Sequence, residues 1–449
     1  MNNNHIAELT EKLINAGIPD KDSSRPLLYA SHIYFDPIDE LVSELLPIML
    51  RSNQKQAISS NQICLRKVVC SLIQAMFEHN WITLPTNPSN FNAEEGYLGK
   101  IGFTKRIMQR IIKVLTEEGW IIKGRGGYIN ALGTNKAAQF FPTEKFIRIF
   151  TPALYDDYGD FTSYDPVRFK SFAYTDKPSA NHIRNTSKII TDYNSFMQEH
   201  LWAMRNPSTR AYKDFLGRSG RVNNKFQNIA NRRVKLRSMT LIDGEPIAEP
   251  DFSCNHFRMF AYLVGEELPE DIYTALASET GYSRTMTKQV LTKTIGARQA
   301  IQKGGLHSKY GAAEYRAVEA AALRAYPWIA QHRLFFNDVG TRMQYLEGEI
   351  ALRMMRWATI NKIPLIAVHD SFAVKASDAE ETEEQMHAVW HSVMRSAKRI
   401  NYLSLTEPQV AIVTRRNEED KALKRQRCRV NRDGSSVSLE GSSDTSMYT

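Results

Sequence analysis

The sequence predicts an α+β protein of two or three domains, helical toward its N-terminal end and carrying small antiparallel sheets further on. Three observations point there. The chain has 449 residues, too many for one typical core. The stretch "FTKRIMQRIIKVLTEEGWIIKGRGGYINAL" places apolar residues at helical spacing, then gives two strand-like runs split by glycines. "MTLIDGEPIAEPDF" and "PLIAVHDSFAV" each have strand composition around a polar turn pair, Asp243-Gly244 and His369-Asp370.

The elements follow in chain order. "DELVSELLPIML" reads as an amphipathic helix and "ICLRKVVCSLIQAMFEHNW" as a core helix. Thr104 can cap the next helix, Ile107, Ile111, Val114 and Leu115 form its apolar stripe, and Gly119 stops it. Strands over 120–123 and 128–131 are expected to pair as a hairpin. Lys105, Arg106, Gln109, Arg110 and Lys113 fall off the stripe. Residues 1–150 therefore resemble a helical, winged helix-turn-helix domain. That resemblance implies a basic helix that enters the major groove of DNA, or a protein-protein module.

The net charge of +9 suits a polyanionic partner. Between Arg205 and Arg237 the chain carries ten Lys or Arg residues against one acid, Asp214. Arg218, Arg221, Lys225, Arg232 and Arg233 are candidates for phosphate contacts there, and Tyr212, Phe215 and Phe226 could stack on bases or anchor the segment to a core. Residues 151–237 are expected as a basic linker or thumb-like region of loops and short helices. The four cysteines, Cys64, Cys70, Cys254 and Cys428, lack the spacing of a zinc set or a disulfide framework. No run of apolar residues is long enough for a membrane span, and "MNNNHIAELTEKL" lacks the pattern of a secretion signal, so the expectation is a cytoplasmic protein with no membrane partner. A phosphate-binding GxxxxGK[ST] motif is missing, which disfavours a helicase or ATPase.

Asp251 and Asp370 each stand at the end of a strand-like run. Two carboxylates on neighbouring strands could hold two Mg²⁺ ions, with Mn²⁺ as an alternative, for in-line phosphoryl transfer. Between them Arg284 and Lys288 are four residues apart, hence on one helix face, where two cations can grip a triphosphate.

At these residues a family resemblance becomes specific. "DFSCNHFRMFAYLVGEELPEDIY" resembles the first palm motif of family A DNA polymerases, matched at Asp251, Ser253, Arg258, Gly265, Asp271 and Ile272. "VHDSF" resembles the third palm motif, its Ser371 being nearer to the single-subunit phage RNA polymerases, and Arg284 with Lys288 resembles the fingers helix. The resemblance covers about residues 238–376. It implies a right-hand palm and fingers over 238–414, with Asp251 and Asp370 as metal ligands, His369 beside the primer end, Arg258 supporting the carboxylates, and a DNA template-primer with nucleoside triphosphates as substrates.

The pattern also departs from the family. Thr292 stands where the family carries an aromatic residue or Met, and Gly296-Ala297 where it carries Tyr-Gly, so the ring that stacks under the incoming base is missing, and Tyr310-Gly311 lies too far on to replace it. His256 stands where the DNA enzymes carry a Glu that blocks the ribose 2′-hydroxyl, so the choice of sugar is open. The expected function is template-directed nucleotidyl transfer in replication of a phage, plasmid or other mobile element, alone or with other replication proteins. The alternatives are a DNA-binding initiator or repressor with a degenerate palm, and a single-subunit RNA polymerase or primase. Residues 415–449, serine-rich at their end, are expected to be a disordered tail.

Overall fold

A computed structural model describes residues 3–20, 24–26, 33–50, 55–85, 87–92, 96–124, 127–129, 134–136, 138–169, 180–212, 219–297 and 311–403. The chain is a mixed α+β protein in which helices predominate and the sheets are small and mostly antiparallel. The expected tail, and with it Arg218, Phe215 and Tyr310, lies outside the described residues.

The N-terminal part runs α1 (Asn3–Ala16), β1 (Ser24–Pro26), α2 (Asp36–Met49), α3 (Lys55–Glu78), β2 (Trp81–Leu84), α4 (Lys105–Glu117), β3 (Ile121–Lys123), β4 (Gly127–Ile129), β5 (Thr134–Lys136), β6 (Ala138–Pro142) and α5 (Glu144–Phe150). In α3, Val68, Val69, Leu72, Ile73, Met76 and Phe77 are all fully buried, so it forms the central rod of this part. The Thr104 hydroxyl caps α4 by accepting from Ile107 N at 3.2 Å, a contact that stabilises a helix end by about 1 kcal/mol. The buried stripe of α4 is Met108, Ile111, Val114 and Leu115. Ile107 is only half-buried, because the helix turns its first apolar contact inward one residue later.

The expected hairpin between 120–123 and 128–131 pairs differently. β3 pairs antiparallel with β6, Ile122 opposite Phe141, while β4 pairs with β5 as a separate ribbon. In β6, Phe140 and Phe141 are buried, so the pairing of β3 with β6 is tied to the core. β2 lies on the other side of β6, with β1 parallel to it at the edge, giving the order β1-β2-β6-β3.

Parts of the basic stretch pack against the core. β7 (Val167–Phe169), α6 (Ala180–Gln198), β8 (Thr209–Tyr212) and β9 (Ser219–Asn223) follow, with β8 between β7 and β9. Tyr212 and Phe226 are fully buried, so these rings anchor the segment to the core. Arg210 is fully buried too, its guanidinium bonded to Glu349 at 2.7 Å and to the Gly220 carbonyl at 2.7 Å.

The last part supplies the sheet β10-β11-β13-β12. Its strands are β10 (Leu241–Ile242), β11 (Glu245–Ala248), β12 (Leu365–Val368) and β13 (Ser371–Lys375). Around it lie α7 (Asn255–Val264), α8 (Ile272–Thr280), α9 (Arg284–Gly296), α10 (Ala312–Ala325), α11 (Trp328–Gln331), α12 (Val339–Asn361) and α13 (Ala379–Arg399). The turn Asp243-Gly244 has positive φ at both residues, the conformation that a tight two-residue hairpin requires. As expected from their apolar spacing, Ile350, Met354 and Met355 of α12 are core residues. Gly348 is required by a close approach: a Cβ there would stand 2.0 Å from the Gly220 carbonyl oxygen on β9. Buried side chains from Leu9 to Tyr402 form one connected core. Among the described residues no helix is long and apolar enough to cross a membrane.

Arg210→Ala leaves Glu349 without its ion-pair partner and opens the β9–α12 seam. We expect it to destabilise the protein by about 3–5 kcal/mol, read as a lower urea midpoint followed by circular dichroism.

Candidate active site

β12 and β13 form a two-residue hairpin, Val368 opposite Ser371, with His369 and Asp370 at its tip. His369 takes φ 57°, a backbone conformation that side-chain-bearing residues seldom adopt and that clusters at functional sites. Beyond β11 the chain stays beside this hairpin. Phe252 N donates to the Asp370 carbonyl at 3.2 Å and Phe372 N donates to the Pro250 carbonyl at 3.1 Å, so Asp251 sits opposite Ser371. The two acids expected on neighbouring strand ends are therefore brought together by backbone pairing.

Their surroundings are strongly charged. The Asp251 side chain reaches solvent, yet protein crowds it. That crowding, then Asp370, then Glu249 push its carboxyl up to about 7 against the opposing pull of Lys288. Burial and the Glu347 charge raise Asp370 as well, and burial with Arg221 lowers His369. Glu249 is held in place by a two-point pair with Arg237, 2.9 Å on each arm, and by the Ser371 hydroxyl at 2.7 Å. Two crowded carboxylates with an excess of negative charge form a donor set that fits Mg²⁺, whose remaining coordination positions take water or phosphate oxygens.

Ser283 caps α9 by accepting from Met286 N at 3.2 Å. The helix carries Arg284 and Lys288 toward the Tyr273 ring, at 5.8 and 5.9 Å from its centre. Arg284 is engaged by Asp271 at 2.6 Å. Burial alone would raise the Asp271 carboxyl; Arg284, with the Thr274 and Tyr273 donors that make Asp271 the cap of α8, holds it well below its ordinary value. Lys288 is the cation of this pair whose charge acts on Asp251.

Two expected roles change. Arg258 donates to the carbonyls of Ser253, at 2.8 Å, and Glu270, so it clasps backbone and does not support the carboxylates. Its position early in α7 points it at loop carbonyls. His256 is bonded through Nε2 to Glu347 Oε1 at 2.8 Å, and Arg221 grips the same carboxylate. Burial would raise Glu347, but His256 and Arg221 overcome it and hold the group at about 2.

Some cations of the basic run have partners within the protein: Arg221 belongs to the Glu347 cluster and Lys225 donates to Gln74 Oε1 at 3.2 Å, while Arg233 pairs with Asp20 at the surface. Arg221 and Lys225 are drawn off the phosphate track that their spacing suggested, because groups distant in sequence meet them in the fold. Arg232 is exposed. On α4, Lys105, Arg106 and Lys113 are exposed and Arg110 half-buried, with Lys113 3.8 Å from Glu117.

Glu249 and Glu347 were missed, whereas Tyr273 closes the first motif match. The signal for Glu347 was present: an acid among Met343, Leu346 and Ile350, at the spacing of a buried helix face. Neither a protein-family profile nor a curated protein matches the chain in sequence comparisons.

Because Asp251 binds its proton more tightly folded than unfolded, its contribution to stability falls as pH rises from 3.8 toward about 7. In chelator-containing buffer, Asp251→Asn should raise the melting temperature more at pH 8 than at pH 5, the gain shrinking further toward pH 4. A pH-independent gain would mean that Asp370 and Glu249 do not load Asp251.

Proposed function

We propose that the chain is a template-directed nucleotidyltransferase with a polymerase-like palm, acting on a DNA template-primer, most simply in replication of a phage, plasmid or other mobile element. The observation that carries this reading is the placing of Asp251 and Asp370 on adjacent strand ends, with Lys288 acting on Asp251 from a capped helix. Asp251 and Asp370 would hold two Mg²⁺ ions, or Mn²⁺. Bound there, the ions supply the positive charge that acidifies an attacking 3′-hydroxyl and offsets charge on the transferring phosphoryl group.

The chain's own residues do the rest. Lys288 meets the triphosphate, while Arg284, clamped to Asp271, fixes α9 against α8 and so positions Lys288. His369, at the hairpin tip, borders the primer end. His256, held rigid by Glu347, forms a wall near Asp370 suited to excluding a ribose 2′-hydroxyl, which favours deoxynucleotides. In the N-terminal part, the order helix, strand, basic helix and paired strands fits a winged helix whose α4 contacts duplex DNA. A second reading, a DNA-binding initiator or repressor, is favoured by Thr292 and Gly296 on α9, where the family carries an aromatic residue or Met and a Tyr.

Primer extension with Mg²⁺, supplying deoxynucleotides and ribonucleotides separately, tests the proposal. Asp251→Ala and Asp370→Ala should each lower incorporation by roughly a thousandfold or more without loss of duplex binding. Full activity in either variant rejects the two-carboxylate assignment, and an inactive parent that binds DNA favours the initiator reading. His256→Ala should admit ribonucleotides about tenfold or more better, and a parent that already prefers ribonucleotides points to an RNA polymerase or primase.

For α4, the combined Arg106→Ala, Arg110→Ala and Lys113→Ala variant should weaken duplex binding and flatten its salt dependence by about 0.9 slope unit per lost phosphate contact. Extension of a pre-annealed primer should persist. Unchanged duplex affinity would make α4 a protein-protein or core element.

A further inference from the structure

A second polar cavity lies outside the 238–376 region. It has a volume of about 580 Å³ and lies among Tyr34, Tyr158, Tyr164, Arg168, Asn224 and Lys225, drawn from the segment before α2, the loop before β7, β7 itself and the turn after β9. One large ring of its lining stands open to solvent: Tyr34 is 60% exposed. Tyr164 is half-buried.

A cation accompanies the rings: Arg168 is exposed, while the Lys225 ammonium turns inward to Gln74 and the buried Tyr158 ring. The acid in the wall, Asp160, is occupied by the Thr162 amide and hydroxyl at 2.7 and 2.6 Å. Open rings beside cations bind nucleic acid whose base faces are uncovered, since stacking tolerates any base and the cations track phosphates. A duplex hides those faces.

The cavity also adjoins the hairpin tip. The Asn224 amide donates to the Ala367 carbonyl at 2.9 Å, three residues before Asp370. We infer that the cavity between Tyr34, Tyr164 and Arg168 binds a single-stranded nucleic-acid segment, the unpaired template beyond the primer end. The template role rests on the polymerase reading; the binding of single strands does not.

The test uses the full chain and a fluorescent twenty-residue oligothymidylate, followed by anisotropy at fixed salt. The combined Tyr34→Ala and Tyr164→Ala variant should bind it about tenfold or more weakly, while blunt duplex binding stays at the parental level. Arg168→Ala should lower the salt slope by about 0.7. An oligonucleotide carrying 5-iodouracil should photo-cross-link to Tyr34 or Tyr164 in the parent and in Asp370→Ala alike. Parental affinity in the double tyrosine variant, or cross-links that map only elsewhere, overturns the inference. If cross-links map to the cavity but the parent extends no primer, the single-strand site stands and the polymerase reading falls.

Discussion

Three consecutive residues of α12, Glu347, Gly348 and Glu349, set the terms for the rest of the structure. A carboxylate taken out of water costs several kcal/mol unless a cation goes with it. Both acids are answered from one hairpin: Arg210 on β8 meets Glu349 and Arg221 on β9 meets Glu347. Gly348 makes the arrangement possible, because only a residue without Cβ lets the Gly220 carbonyl come so close. Separating the hairpin from α12 would strand two charges at once.

That seam reaches the paired aspartates through Glu347. Its second oxygen takes His256 of α7, and Asn255 beside it takes the Trp390 indole of α13 at 3.0 Å, so three helices are registered around one carboxylate. The same charge raises Asp370, while Arg221 draws down His369. The acids at the hairpin tip therefore carry a negative field that Lys288 only partly offsets. Such a field destabilises the bare site and favours whatever positive charge enters it.

The N-terminal part joins this core through the turn after β9. Lys225 spans the junction, its ammonium on Gln74 of α3 and its amide on Asn206. Burial lowers that lysine to about 8, opposed by Glu78 and Cys70. Ala230 N donates to the Phe77 carbonyl at 2.9 Å, at the end of α3. The polar cavity at Tyr34 and Tyr164 thus has walls from both parts of the chain.

The local elements were legible in the residues themselves. Thr104 and Gly119 bound α4, Asp243-Gly244 makes a tight hairpin, and the apolar runs around His369-Asp370 form two strands, because caps, turns and periodicity act over a few residues. That Asp251 and Asp370 could meet followed from two strand ends and from motif resemblance, but it takes strand pairing across more than a hundred residues to produce it. What spacing could not disclose is which charge answers which. Arg221, Arg233 and Lys225 read as a phosphate track, yet Glu347, Asp20 and Gln74 occupy them, and His256 and Arg258 turn to Glu347 and to loop carbonyls. β3 pairs with β6, which carries the buried Phe140 and Phe141, and not with the nearest strand-like run. Local conformation depends on neighbours in sequence, whereas ion pairing and strand choice depend on which groups lose water together, and only the folded chain determines that.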